Sequence, residues 1–237
     1  MLTDVHTHSA FSADGETPLS GMLARAQELG IAYYGIAEHF DYDYLADGIF
    51  PEGKTVPMID ASAYFSEVRR LQASYAGRMH VLAGGEFGYT SNPSAHRMYQ
   101  ETIARFSPDF VVNSVHSVNG KDAWFSEYFA GKTREEAYRT YLEKVRESLD
   151  APYPYDIVAH IGYVSRNAPY SDNLLHYADF PDLFDDILSV IIARGKIVEV
   201  NSSARGAGDF LPGEDILARY FALGGRKISF ASDAHRA

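Results

Sequence analysis

The segment LTDVHTH (2–8) opens the chain with a short β-branched and apolar run that ends in two histidines. In an extended strand residues i and i+2 project to the same side, so His6 and His8 present two imidazoles to one point where the strand ends. The far end of the chain repeats the device, since ISFASDAH (228–235) is a strand-like run followed by Asp233 and His235 at the same spacing. Closing a sheet into a barrel sets its first and last strands side by side, and that turns two motifs from opposite ends of the chain into one site.

Working inward, strand candidates recur at YYGIAE (33–38), HVLAGGEF (80–87), FVVNSVH (110–116), DIVAH (156–160) and KIVEV (196–200), each bounded by turn residues. Segments with helical spacing alternate with them: 18–29, 61–75, 93–106, 134–149, 180–193 and 213–223. Thr17-Pro18 and Asn92-Pro93 each offer an N-cap followed by proline at the first helical position. Gly30, Gly77, Gly195 and Gly224 follow expected helix ends, where the left-handed conformation is least strained for glycine. Repeated β-α units with nearly continuous apolar strands imply a parallel sheet covered by helices, and seven such units favour a closed barrel over an open doubly wound sheet.

Composition agrees with one domain over 1–237. The chain has 237 residues, 46% of them hydrophobic and 22% charged, which suits a packed core and argues against disorder. Lys plus Arg number 21 and Asp plus Glu 32, so the formal charge is −11, the wrong sign for a protein whose main task is to grip nucleic acid. Cysteine is absent, which removes disulfides, thiolate metal sites and cysteine nucleophiles and fits a reducing compartment. No apolar run approaches the roughly 18 to 20 residues of a membrane span, and the N-terminus lacks a signal-peptide pattern, so the expectation is a soluble, cytoplasmic protein.

Three long connections, about 41–60, 117–133 and 161–179, all follow strands and therefore gather at one end of the barrel, where loops of such folds build active sites. His39, Glu86, His116 and His160 also terminate strands, so six of the seven strands end in a possible metal ligand. Taken singly, each is more readily a hydrogen-bonded loop junction or a helix cap; together on one rim they point to a metal site. With no thiolate available, imidazole and carboxylate donors suit zinc, manganese or iron. His80 and His96 lie away from that rim and are assigned to structure or surface, while His176 sits in a long loop that could line a substrate pocket. Glu38, next to His39, faces the opposite side and is left outside the ligand set, with a supporting role open to it.

The HTH at 6–8 with FSADG at 11–15, EH at 38–39, Glu86, His116, His160 and the closing DAH at 233–235 resembles the polymerase and histidinol phosphatase (PHP) family over nearly the whole chain. The resemblance implies a distorted (β/α)7 TIM-like barrel, of class α/β, with up to three divalent metals (Zn, Mn or Fe) at the C-terminal ends of the strands. It implies one metal on His6, His8, Glu86 and Asp233, a second on Glu86, His116 and His160, and a third on Asp14, His39 and His235. Asp14, where some relatives carry histidine, is the form associated with the histidinol phosphatase branch. Arg166 and Arg205 resemble that branch's phosphate-clamping arginines, since a guanidinium can hold two phosphate oxygens at once.

The implied reaction is hydrolysis of a small phosphorylated substrate, L-histidinol phosphate, in histidine biosynthesis. A hydroxide bridging the first two metals attacks phosphorus, and the third metal with Arg166 and Arg205 holds the other oxygens. The leaving group's proton comes from a metal-bound water or from Asp233. Tyr163, Tyr170 and Phe125 in the long loops could contact the substrate, and Asn201 could support the site. Alternatives are a PHP phosphoesterase acting on phosphodiesters or phosphotyrosine, a non-catalytic metal-binding scaffold, and an amidohydrolase barrel. The last relies on a strand-borne lysine, for which the sequence offers no convincing position.

Overall fold

The computed structural model describes residues 1–49, 58–204 and 208–237. Its strands are β1 (Leu2–Asp4), β2 (Ile31–Ile36), β3 (His80–Gly88), β4 (Phe110–Ser114), β5 (Ser117–Val118), β6 (Lys121–Asp122), β7 (Ile157–Val158), β8 (Ile197–Asn201) and β9 (Ile228–Ala231). Seven of them form a parallel sheet in the order β1-β2-β3-β4-β7-β8-β9, and β5 with β6 forms an antiparallel hairpin between β4 and β7. The two ends of the sheet meet along a short seam: Val5 N–H donates to the Phe230 carbonyl at 3.0 Å, Asp233 N–H to His6 at 2.9 Å and His8 N–H to Ala234 at 2.9 Å. The result is a nearly closed α/β barrel of the TIM-like kind, with every expected strand present, several of them shorter than the apolar runs.

The helices are α1 (Leu19–Glu28), α2 (Tyr42–Asp47), α3 (Ala61–Tyr75), α4 (Pro93–Phe106), α5 (Ser126–Phe129), α6 (Arg134–Ser148), α7 (Pro181–Ala193) and α8 (Glu214–Ala222). The six longer ones agree with the apolar spacing to within a residue at each end, while α2 and α5 lie in the long connections and are too short for a period to show. The Asn92 carboxamide caps α4 by accepting from Ser94 N–H at 3.1 Å, with Pro93 in the first turn. Thr17 does not cap α1. The cap position falls on Pro18, whose carbonyl takes the Gly21 and Met22 N–H groups, and Thr17 Oγ1 instead accepts from Ala237 N–H at 3.1 Å. Gly30, Gly77, Gly195 and Gly224 have φ of 71°, 80°, 64° and 98°, the left-handed conformation expected after each helix.

Two apolar layers hold the barrel. The larger lies between strands and helices and contains Leu23, Val68, Tyr99, Tyr141, Leu142, Ile187, Leu188 and Ile216, all fully buried. The smaller fills the barrel interior: Ala37, Phe110, Val112, Ile157 and Ala159, with Val5, Leu82 and Ile197 against them. Strand alternation makes the inward rows run from apolar to polar toward the C-terminal ends: Gly35–Ala37–His39, Leu82–Gly84–Glu86 and Ile197–Glu199–Asn201. The Phe110 ring occupies the space that side chains at two inward glycines would need. A Cβ on Gly84 would lie 2.3 Å from Phe110 Cζ, and one on Gly35 would lie 2.9 Å from it.

This packing predicts that Gly84→Ala destabilises the fold by about 1–3 kcal/mol through overpacking of the interior. A urea-denaturation midpoint measures it. A midpoint equal to that of the wild type would show that the interior has slack the packing does not suggest.

Candidate metal centre

Glu86, at the polar end of the inward row on β3, is 1% exposed and lies among imidazoles from other strands. His39 Nδ1 approaches its carboxylate at 2.8 Å, His160 Nε2 at 2.9 Å, His116 Nε2 at 3.2 Å and His6 Nε2 at 3.4 Å. His8 Nε2 is 3.7 Å from Glu86 and 3.2 Å from Asp233 Oδ1. His235 Nε2 lies 3.3 Å from Asp14 Oδ2, and His39 Nε2 lies 3.8 Å from Asp14 Oδ1. The structure thus brings together every metal ligand expected from the sequence. Their donor atoms fall into three groups close enough for one ion each: His6, His8 and Glu86; Glu86, His116 and His160; and His8, His39 and His235. Two of these differ from the sets the resemblance implies: the first lacks Asp233, which borders it 3.2 Å from His8, and in the third His8, stacked at 4.2 Å on both His39 and His235, stands where Asp14 was expected, with Asp14 bordering the group.

The donor set fits divalent ions. His6 Nε2, His8 Nε2, Glu86 Oε2 and His235 Nε2 are buried with no hydrogen-bond partner, an arrangement that is costly unless something coordinates them. Burial works against a charged Glu86, yet the surrounding His6, His116 and His39 hold its carboxyl well below the usual range. Burial with the neighbouring His39 and His235 imidazoles pushes His8 down to about 3. His8 is thus a neutral donor, whereas at His6, His39, His116 and His235 burial is outweighed by neighbouring carboxylates, Glu199 and Glu86 for His6, Glu86 foremost for His39 and His116 and Asp14 for His235. These raise the imidazoles, so a bound metal would take the place of their protons.

Supporting groups set the tautomers. Glu199, fully buried on β8, takes His6 Nδ1–H at 2.6 Å, His160 N–H at 2.9 Å and the Asn201 amide at 2.9 Å, which leaves His6 Nε2 as the free lone pair. Glu38 takes the N–H and hydroxyl of Ser9 and the Ser12 hydroxyl, and Ser12 Oγ in turn lies 3.3 Å from His8 Nδ1. Glu38 therefore acts from the opposite side of its strand, steadying the loop that carries the second histidine. Glu199 was not read from the sequence as part of the site, although a charged residue two positions after an apolar inward one in KIVEV is a usable signal.

The centre opens into a cavity of about 510 Å³ lined by Asp41, Tyr44, Asp122, Trp124, Tyr163 and Arg166 among others. Arg166 is buried on the rim, donating from Nη2 to Asp233 Oδ2 at 2.8 Å and to Asn201 Oδ1 at 3.1 Å. Asp233 has φ 55°, a left-handed conformation costing a non-glycine residue about 1 kcal/mol, held here by the barrel seam on its N–H. Burial opposes charge on Asp233, but His8, His6 and Arg166 keep it ionised. Arg205 lies outside the described residues. Tyr163 and Phe125 line the cavity, whereas Tyr170 packs on Phe129 and Tyr138 away from it. His176 lies 3.8 Å from Asp215 and faces a different hollow.

The Glu199–His6 contact makes a prediction: Glu199→Gln should lower affinity for the bound metal about 10- to 100-fold while the protein stays folded. Metal retained after titration with a chelator, measured alongside circular dichroism, checks it. Unchanged retention would mean that the carboxylate does not tune its histidine.

A family model for the PHP domain matches residues 4–203 of the chain. A Lactococcus lactis subsp. lactis protein named histidinol-phosphatase is 28% identical over 240 residues, covering 98% of this chain and 83% of its own. A Clostridium acetobutylicum protein named "Probable histidinol-phosphatase" is 26% identical over 236 residues, covering 99% and 87%. Among solved structures, that of the Lactococcus lactis histidinol phosphate phosphatase in complex with zinc, L-histidinol and phosphate superimposes with a TM-score of 0.83 at 27% identity, covering 99% of this chain and 86% of that one. With its strand-end histidines and acids gathered on one rim of a seven-stranded barrel, and with the family model matching most of its length, the chain belongs to the PHP domain family.

Proposed function

We propose that this protein is a metal-dependent phosphomonoesterase that hydrolyses L-histidinol phosphate to L-histidinol and phosphate. The observation that carries the reading is the convergence of buried, unpartnered imidazole and carboxylate donors on Glu86, at the base of a cavity whose wall contains Arg166. The names of the relatives and the ligands of the Lactococcus lactis complex support the same substrate. Up to three ions, of zinc, manganese or iron, fit the three donor groups.

Divalent ions held there supply the positive charge and the neutral-pH hydroxide that attack on a phosphate monoester dianion requires. The protein's own groups do the rest. Glu86 stays ionised between two donor groups, and Arg166, fixed by Asp233 and Asn201, presents a guanidinium to the phosphate oxygens. The leaving alkoxide's proton would come from a metal-bound water or from Asp233 once it has taken the nucleophile's proton. By the family resemblance, Arg205 would join Arg166 on the phosphate. Neither a cysteine nor a phosphoenzyme is needed.

Phosphate release from L-histidinol phosphate, p-nitrophenyl phosphate and a phosphotyrosine peptide, in protein of measured metal content, tests the reading. The expected result is a clear preference for L-histidinol phosphate, loss of at least roughly 10²-fold in kcat/KM with Arg166→Lys, and no measurable turnover with His116→Ala or after chelation. Fully metal-loaded protein that turns over all three esters alike would overturn the substrate while leaving the hydrolase.

A further inference from the structure

The cavity is electrically lopsided. Besides Arg166 and the metal-binding donors, its lining includes a further buried carboxylate, Asp122, on the β5–β6 hairpin. Asp122 Oδ1 accepts from Trp124 N–H at 2.7 Å and from the Tyr163 hydroxyl at 3.2 Å, and Oδ2 accepts from the Tyr44 hydroxyl. A carboxylate has about four lone-pair positions, and three donors occupy three of them. The fourth belongs to Oδ2. Among the described residues no Lys, Arg or His forms an ion pair with Asp122, and the partners of its carboxylate there are neutral donors.

A buried carboxylate with an open lone pair beside neutral donors is a favourable place for a cationic group of a ligand. Tyr163 relates Asp122 to the metal-binding donors. Its ring centre lies 5.0 Å from that of His116 and 5.4 Å from that of His160, with the Arg166 guanidinium 5.2 Å from the same centre, while its hydroxyl touches Asp122. Asp122 is therefore about one phenol ring away from the groups that would hold phosphate. Asp41 also faces the cavity, but it lies 3.9 Å from His39 Nδ1, inside the field of the imidazole cluster.

We infer that Asp122, held by Tyr44 and Tyr163, is the specificity residue that binds the primary ammonium group of an amino-alkyl phosphate. The inference rests on the proposed phosphatase reading. In L-histidinol phosphate the ammonium is on the carbon next to the ester carbon, so dianion and cation are a few bonds apart, matching the separation of Arg166 from Asp122 across Tyr163.

The test pairs L-histidinol phosphate with its desamino analogue, which has hydrogen in place of the ammonium group, on wild type and on Asp122→Asn. Wild type should favour the amine-bearing ester by about tenfold or more in kcat/KM, and the ratio should collapse toward one in the variant. A ratio that persists in D122N, or a loss shared equally by both esters, would overturn the inference by making Asp122 irrelevant or merely structural. A second arm needs no variant: L-histidinol should inhibit wild type about tenfold more tightly than desamino-histidinol, and equal inhibition overturns the inference even if D122N does not fold. If wild type hydrolyses L-histidinol phosphate no faster than p-nitrophenyl phosphate, it is the substrate reading that fails, and this inference fails with it. A wild-type preference untouched by D122N sinks the role of Asp122 alone.

Discussion

Glu86 is a carboxylate removed from water at the centre of a barrel, and its solvation has to be replaced by groups that arrive from other strands. His39 comes from the end of β2, His116 from the end of β4, His160 from the end of β7 and His6 from beyond β1. Each can reach Glu86 only if its strand ends at the same height in the sheet. A one-residue slip in any one of these strands would turn its inward row to the helices and take its imidazole away from the carboxylate. The centre is thus a register constraint on the whole sheet, imposed by the cost of an unpaired buried charge.

The barrel meets that constraint by being narrow. Phe110 fills the interior beneath the site because Gly35 and Gly84 leave it room, and the inward rows above the ring change from apolar to Glu86, Glu199 and Asn201 within one or two residues. Apolar packing below and imidazole–carboxylate contacts above share the same strands, so any loss of interior packing is transmitted to the site. Glu199 shows how closely the layers are coupled, since one carboxylate on β8 orients His6 and also receives the backbone N–H of His160.

The charge balance of the chain says little about this local field. A net charge of −11 disfavours nucleic acid as a partner, while the cavity base gathers Arg166 and donors for divalent cations. On the proposed reading, the near field of those groups draws a small dianionic ester, and exposed acids elsewhere on the surface counter it only weakly across screened distances. On the inference above, the Asp122 carboxylate in the lining adds a second pole, which suits a molecule bearing both signs.

Much of this was legible in the residues. Short, nearly continuous apolar runs that break into His, Asp or Glu mark the strands and their C-terminal ends, and α3 and α4 have the limits their apolar spacing assigns because helical periodicity is a local property. Thr17 was misread as a cap because the choice between Thr17 and Pro18 depends on which carbonyl receives the Gly21 and Met22 N–H groups, and that is decided by how α1 seats on the barrel. The sharing of His8 between two donor groups, the bond from Glu199 to His6 and the pairing of Tyr44 and Tyr163 with Asp122 were not legible, because each joins residues from distant parts of the chain. Sequence by itself determined which residues end the strands and so which chemistry can gather on the rim. Tertiary structure alone decided which of them touch and which nitrogen faces which carboxylate, because those distances depend on barrel closure and strand register, which no local stretch of chain contains.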